Sequence, residues 1–96
     1  MPLSKQYLKS KPECKVTFCV AAKDAKSVEV AGDFNGWKTT KLKKFKNGNF
    51  KAQLNLPVEH EYQFRYIVDG QWVNETQADA YKWNDFASTD NSVVIV

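Results

Sequence analysis

The chain has 96 residues, of which 43% are hydrophobic and 14% aromatic, enough for one domain with one core and far from the composition of a disordered segment. Its net charge of +3 is mild and by itself neither requires nor excludes a polyanionic partner. The N-terminus lacks the apolar region of a signal peptide, and no stretch approaches the roughly 18 apolar residues of a membrane span. We therefore expect a cytoplasmic protein that does not enter a membrane.

The first twelve residues are rich in lysine and are predicted to form an N-terminal arm, residues 1–12, that either lies along the domain or frays. Pro12 marks the end of this arm. Residues 13–96 are predicted to form one domain, because no internal repeat or low-complexity segment divides them.

Two strands are predicted at the start of the domain. Residues 14–20 and 28–31 both alternate apolar with polar side chains, as in half-buried strands. The second strand ends in a cluster of turn-forming residues, Gly32–Trp37. An Asn-Gly pair in this cluster supplies the positive φ angles of a tight turn. We expect Phe34 to point into the core and Trp37 to emerge at the far end of the reversal.

The two cysteines, Cys14 and Cys19, lie an odd number of residues apart on the first predicted strand. They therefore point to opposite faces, too far apart for a disulfide. We expect two reduced thiols. Two cysteines and one histidine do not make a zinc site, so neither a metal nor a cofactor is predicted.

A hairpin is predicted around Asn47-Gly48, between strands at residues 42–45 and 50–56. A two-residue loop would pair Phe45 with Phe50. It would then place Leu42, which looks like a core residue, on the face opposite to Phe45. A longer loop or a bulge is therefore expected, and the register stays open.

Residues 61–74 are predicted to form the central hairpin. An Asp-Gly pair at its turn favours a two-residue type I′ loop, which would pair Ile67 with Trp72. Directly paired residues share a face, so Trp72 and Arg65 are predicted side by side on the solvent side. A soluble domain has little reason to expose a tryptophan in this way unless something binds there. The opposite, core-facing side would carry Tyr62, Phe64, Tyr66 and Val68.

The remaining residues are predicted to form an irregular polar and aromatic stretch, 75–90, and a closing strand, 92–96. The closing strand has a run of β-branched residues that suits burial on both faces. About seven short strands with almost no helical periodicity are typical of an all-β, immunoglobulin-like antiparallel β-sandwich.

Several blocks along residues 16–96 occur in a specific order and spacing: Val-Ala-Gly-Asp-Phe-Asn-Gly-Trp at 30–37, Leu-Pro at 56–57, Glu-Tyr-Gln-Phe-Arg-Tyr-Ile-Val-Asp-Gly-Gln-Trp at 61–72, Ala-Asp-Ala-Tyr at 78–81 and Asn-Ser-Val-Val at 91–94. Together they resemble the glycogen- and starch-binding module found ahead of isoamylase and branching-enzyme catalytic domains and in the β subunit of AMP-activated protein kinase. The resemblance implies an early-set immunoglobulin-like sandwich that binds α-1,4-glucan without cleaving it, alone or as the accessory module of a glycoside hydrolase-type enzyme.

The resemblance also implies a set of carbohydrate-binding residues. Trp37 and Trp72 match the two tryptophans that form a platform for the sugar rings, and Arg65 matches a basic residue that is usually lysine. Asn91 matches an asparagine that bonds sugar hydroxyls, and Phe86 an apolar residue that reaches into the curved glucan. Flat indole rings suit this role, because glucose presents apolar C–H faces with hydroxyls at the rim.

Alternatives remain for several of these residues. Trp72 could cap the edge of the sandwich, Trp37 could fold back on the neighbouring hairpin, and Asn91 could only form a turn. The chain also lacks the glycines that family members often carry in the loop matched by residues 86–91. Trp83 does not match the family's binding set and could extend the platform, pack under the loop or mediate dimerisation.

Catalysis is the least supported function class. Glycoside hydrolysis needs two carboxylates about 5–9.5 Å apart, and nothing in the sequence pairs two of the acidic residues in turns and loops. No catalytic residue is therefore predicted. Those acidic residues are Asp33, Asp69, Glu75, Asp79, Asp85 and Asp90.

Two other function classes remain beside glucan binding. The same fold could serve as a protein-protein interaction or homodimerisation module with a decayed sugar site. Exposed aromatics and lysines could instead bind single-stranded nucleic acid, with a strong dependence on salt. The partner we predict is an α-glucan polysaccharide or oligosaccharide, with a glucan-active enzyme or a second copy as further candidates, and neither nucleic acid nor a membrane.

Overall fold

Ten strands and one short 3₁₀ turn make up the part of the chain that the computed structural model describes, residues 3–96. The turn is Asp33–Asn35. The strands are β1 Leu3–Tyr7, β2 Glu13–Ala21, β3 Val28–Gly32, β4 Thr40–Lys41, β5 Lys43–Lys44, β6 Asn49–Pro57, β7 Glu61–Val68, β8 Gln71–Val73, β9 Ala80–Asn84 and β10 Thr89–Ile95.

The strands form two antiparallel sheets. One sheet has the order β1-β2-β6-β5, and the other has the order β4-β3-β7-β10-β9 with β8 also paired to β7. Because β3 pairs with β7 over residues 64–68, β8 must lie on the other edge of β7, in line with β10. The predicted fold class is confirmed: the chain is an all-β, immunoglobulin-like antiparallel sandwich.

The core lies between the two sheets and is centred on aromatic rings. The ring centroid of Phe18 on β2 lies 5.2 Å from that of Phe64 and 6.5 Å from that of Tyr66, both on β7. Phe34, from the 3₁₀ turn, also lies 5.2 Å from Phe18, which confirms that it points inward. The period-two alternation of β2 and β7 therefore places the aromatic set inside, as predicted.

The loop between β5 and β6 explains the register that the sequence left open. Lys44 pairs with Phe50, and the backbone N–H of Phe45 donates to the carbonyl of Asn49 at 2.8 Å. The loop is thus three residues long, with Gly48 at a φ of 88°. This is the arrangement of a turn closed by a left-handed glycine, and the expectation of a longer loop is confirmed.

Two expectations about strands need correction, and one alternative is resolved. The stretch at 75–90 is not irregular throughout, because residues 80–84 form β9 on the edge of the larger sheet. Residues 3–7, within the predicted arm, pair with β2 as an edge strand, so this part of the chain lies along the domain, one of the two arrangements expected. In the closing strand Val93 and Val94 are fully buried, but Ile95 is 42% exposed because it lies near the end of the sheet.

Both cysteines are free thiols, with Cys14 buried and Cys19 partly exposed, as their spacing on one strand predicts. Across residues 3–96, none of the helical structure has the length and hydropathy that a membrane span requires.

The central position of Phe18 makes it the most informative core residue to remove. We expect Phe18→Ala to lower the free energy of unfolding by about 3–5 kcal/mol, because the cavity would open among three packed aromatic rings. Urea denaturation followed by far-UV circular dichroism measures this. Phe45→Ala is the matched control, because Phe45 is 44% exposed and should cost much less. Equal losses in the two variants would contradict this description of the core.

Candidate functional site

The hairpin of β7 and β8 has the predicted register. Val68 pairs with Gln71, Ile67 with Trp72 and Tyr66 with Val73. The turn residues have φ angles of 49° at Asp69 and 85° at Gly70, the positive values that a type I′ turn needs. The turn is also anchored from outside, since the Asp69 carboxylate accepts the backbone N–H groups of Lys26 and Ser27 at 2.8 and 2.9 Å.

This register places Trp72 and Arg65 together on the outer face of the larger sheet. The Arg65 guanidinium carbon lies 5.6 Å from the centroid of the Trp72 ring, and the indole is 47% exposed. Ile67, the pairing partner of Trp72, is 7% exposed beneath it. The predicted side-by-side arrangement of a flat ring and a cation on the solvent side is therefore confirmed.

The Arg65 guanidinium lies over the Trp72 ring and has no acidic partner among residues 3–96. Within residues 3–96 its side chain forms no salt bridge, and its buried Nε atom has no hydrogen-bond partner. A planar guanidinium can lie flat on an aromatic ring, which a lysine ammonium cannot do. Arg65 can therefore support the Trp72 ring in a way that a lysine at this position could not.

Trp37 is tethered to the same sheet by one carboxylate. Its indole Nε1 donates to Oδ1 of Asp33 at 2.9 Å, while Oδ2 of Asp33 accepts the backbone N–H of Gln63 on β7 at 2.8 Å. The residue has a φ of 63° and is partly exposed. Its backbone N–H donates to the carbonyl of Gly32, and Gly32 pairs with Phe64 on β7. Phe64 lies three residues along β7 from Ile67, the pairing partner of Trp72. Three strand residues span about 10 Å.

A row of amides crosses β7, β10 and β9 on the outer face. Nδ2 of Asn91 donates to Oε1 of Gln63 at 3.1 Å, and Nδ2 of Asn84 reaches Oδ1 of Asn91 at 3.5 Å. Asn91 is only 4% exposed, so its side chain lies below the surface between its two partners. Phe86, in the turn after β9, is fully exposed, and its backbone N–H donates to Oδ1 of Asn84.

The structure thus brings Trp72, Arg65 and the Asn91 amide row onto one face, with Trp37 tethered to the same β7 strand. The sequence reasoning missed Gln63, Asn84 and Asp33. Gln63 could have been found, since it shares the strand phase of Arg65. Asn84 was missed because β9 was not predicted, although the alternation of Tyr81 and Trp83 with Lys82 and Asn84 was a signal for that strand.

A buried polar network lies under the β8 end of this face. The Tyr66 hydroxyl donates to Oε1 of Glu75 at 2.9 Å, and the backbone N–H of Glu75 donates to Oγ of Ser92 at 2.8 Å. Oγ of Ser92 in turn donates to Oδ1 of Asn74, whose Nδ2 donates to the carbonyl of Asp90. The segment after β8 is therefore fixed to β10, and Trp72 and the β9–β10 turn share this support.

Most of the acidic residues weighed as catalytic candidates have structural partners. Asp33 and Asp69 accept backbone or indole N–H groups, Asp79 forms an ion pair with Lys5 at 2.6 Å, and Glu75 is buried beside Tyr66. In the described residues, no cluster of three or more His, Cys, Asp or Glu side chains could hold a metal ion.

Trp83 lies on the other face of the larger sheet. Lys82 pairs with Asn91 of the amide row, so the next residue, Trp83, points to the opposite side. It is 62% exposed and therefore does not pack under the loop. Nor does it extend the face that carries Trp72.

Comparison with known proteins gives a consistent result. Residues 15–96 match the family described as the glycogen recognition site of AMP-activated protein kinase. The 5'-AMP-activated protein kinase subunit beta-2 of Mus musculus is 47% identical over 51 residues, which cover 52% of this chain and 18% of that protein. Subunit beta-1 of Sus scrofa is 44% identical over 50 residues, which cover 52% of this chain and 39% of that protein. The chain thus spans less than half the length of either relative.

Among solved structures, pullulanase from Bacillus acidopullulyticus superposes with a TM-score of 0.63 at 22% identity, covering 98% of this chain and 12% of that one. At this level of identity the likeness concerns the fold alone.

The Tyr66–Glu75 contact gives a prediction about alkaline pH. Burial, together with the charge of Glu75 and the hydrogen bond to it, raises the pKa of the Tyr66 phenol, and burial also raises the pKa of Tyr62. In the unfolded chain a tyrosine loses its proton near pH 10. The contribution of the protonated Tyr66 phenol to the free energy of unfolding is therefore present below pH 10 and is lost as the pH rises above it.

We expect Tyr66→Phe to cost about 1.5–3 kcal/mol at pH 7, because a hydrogen bond to a carboxylate is lost. Between pH 10 and 11 the variant should lose less stability than the wild type, by up to about 1.4 kcal/mol. Urea denaturation across this range measures both effects. Tyr7→Phe, at a residue that is 58% exposed, should change neither. Parallel pH profiles for wild type and Tyr66→Phe would contradict the assignment.

Proposed function

The chain belongs to the family described as the glycogen recognition site of AMP-activated protein kinase, and we propose that it binds α-1,4-glucan, without cleaving it, on the outer face that carries Trp72 and Arg65. Family membership makes it a carbohydrate-binding module. The substrate class, the residues and the lack of catalysis are the parts that we propose.

The observation that carries the proposal is the exposed Trp72 ring with the Arg65 guanidinium 5.6 Å from its centroid. An indole 47% exposed on a rigid hairpin offers a flat apolar surface of the kind that desolvates the C–H face of a glucose ring. Because the anchored type I′ turn and the Arg65 stack hold the ring in place, little side-chain freedom is lost on binding.

Trp37 supplies the second ring of the proposed platform. Its anchor point on β7 lies about 10 Å along the strand from that of Trp72, within the span of a short oligosaccharide. Asp33 fixes its indole N–H, which leaves the ring faces for sugar.

The rim of the proposed site is polar. Asn91 is buried between Gln63 and Asn84, so in this site it positions those two amides, which bond the sugar hydroxyls. Phe86 is fully exposed at the end of the row and contacts the glucan as it curves away.

The lack of catalysis rests on how the carboxylates are used. Asp33, Asp69 and Glu75 all accept hydrogen bonds from the protein itself. In this proposal the module is cytoplasmic and brings a glucan-active or regulatory partner protein to storage polysaccharide. The kinase relatives support a protein partner, and a pull-down that recovers no companion would count against that part.

Trp72→Ala provides the direct test. We expect retardation in native gels containing glycogen or amylopectin to weaken by at least roughly tenfold in apparent affinity, because one ring forms the centre of the contact. Phe45→Ala removes an aromatic ring of similar exposure next to the end of β5, in the smaller sheet, and should be retarded like the wild type. If Trp72→Ala is fully retained in the gel, the platform is wrongly placed.

Salt separates this function from nucleic-acid binding. Glucan is uncharged, so retardation should be nearly unchanged between low and high salt, whereas binding through phosphates would fall steeply.

Substitutions at Arg65 separate the effect of its planar contact with Trp72 from the effect of its charge. We expect Arg65→Lys to keep the charge but to weaken retardation, because an ammonium group does not support the Trp72 ring as a planar guanidinium does. Arg65→Ala should weaken it further. Isothermal titration with maltoheptaose would measure both, and identical affinities for Arg65→Lys and the wild type would show that charge alone matters.

A further inference from the structure

Trp83 is the most exposed of the three tryptophans, and the proposed platform does not use it. On β9 it pairs with Asp90, while its neighbour Lys82 pairs with Asn91 of the amide row. Side chains alternate along a strand, so Trp83 and Tyr81 lie on the face of β9 opposite to Lys82 and Asn84.

The Trp83 ring has a fixed orientation. Its Nε1 donates to Oδ1 of Asp85 at 2.7 Å, which ties the edge of the indole to the following turn. Tyr81, two residues earlier, is fixed in the same way, since its hydroxyl donates to the carbonyl of Glu75 at 2.6 Å. The two rings are 62% and 45% exposed and lie about 7 Å apart along the strand.

The chemistry around these rings favours a neutral, hydroxyl-bearing ligand. Asp85 and Asp90 place carboxylates beside Trp83, and they would repel a polyanion such as nucleic acid. Carboxylates are strong acceptors for hydroxyl groups, and fixed aromatic rings stack on sugars. An apolar protein surface would instead have to desolvate two charges at the contact.

The Trp83 surface and the proposed glucan face lie on the two sides of one strand, β9. β9 ends the sheet order and has β10 as its strand neighbour within residues 3–96, so its other edge borders solvent. Lys82 and Asn84 lie on the platform side of β9, and Trp83 lies on the other side of the same strand. Phe86 lies in the turn that joins β9 to β10 and is fully exposed at the end of this strand.

From this arrangement we propose that Trp83 is a second contact point for the same glucan chain, which lies on the Trp72 face, curves over the free edge of β9 and stacks on Trp83. The proposal rests on the proposed function. Chains too short to cross the edge would occupy the Trp72 face alone, so Trp83 would give the module a preference for long or polymeric α-glucan.

The test compares short and long ligands. For the full chain, we expect Trp83→Ala to weaken binding to amylopectin roughly three- to tenfold, the loss of one stacked ring, while binding of maltotriose stays unchanged. Trp72→Ala should weaken both. Asp85→Ala, which releases the Trp83 ring without removing it, should shift amylopectin binding in the same direction by a smaller factor. Thermal unfolding of each variant confirms that it is folded.

The outcomes separate the two proposals. If the wild type binds amylopectin and Trp83→Ala binds it equally well, the second contact is refuted and the proposed function stands. If the wild type binds neither ligand, both fail. If Trp83→Ala instead converts a dimer to a monomer in light scattering, with amylopectin binding unchanged per chain, Trp83 serves self-association and the second contact is refuted.

Discussion

The register of the β7–β8 hairpin is the constraint on which the rest of the site depends. Side chains alternate along a strand, so a slip of one residue would turn Trp72 from the solvent face to the core and carry Val73 outward in its place. The two-residue turn at Asp69-Gly70 prevents this slip, and the Asp69 carboxylate fastens the turn to the loop before β3. The Asp69-Gly70 turn thus determines on which face of the sheet the Trp72 ring is exposed.

The network beneath the hairpin extends that constraint to the other half of the site. Tyr66 and Glu75 are both nearly inaccessible to solvent, and a hydrogen bond to a buried carboxylate is costly to break. Through Ser92 the same network reaches β10, which carries Asn91 and leads back to β9. Stability and site geometry are therefore coupled, because a change that loosens this network displaces both the hairpin and the amide row.

The sequence predicted features that are set within one short segment and missed features that depend on contacts between distant strands. The hairpin register, the inward Phe34 and the stacking of Arg65 beside Trp72 follow from turn residues and strand alternation within short segments. β9 was missed although Tyr81 and Trp83 alternate with Lys82 and Asn84, because the run is only five residues long and its aromatic side chains lie exposed on an edge strand. The burial of Asn91 is set by Gln63 and Asn84 on other strands, and only the assembled sheet brings those partners together.

The three tryptophans share a design that fits recognition of an uncharged ligand. Trp37 is tethered through Asp33, Trp83 through Asp85, and Trp72 is held by the Arg65 stack. A neutral sugar cannot be attracted from a distance by charge, so affinity must come from flat surfaces that are already in position and lose little entropy on contact. The carboxylates of Asp33 and Asp85 are both occupied as acceptors for indole N–H groups. In the proposed function, these tethers hold the rings in position for contact with a glucan.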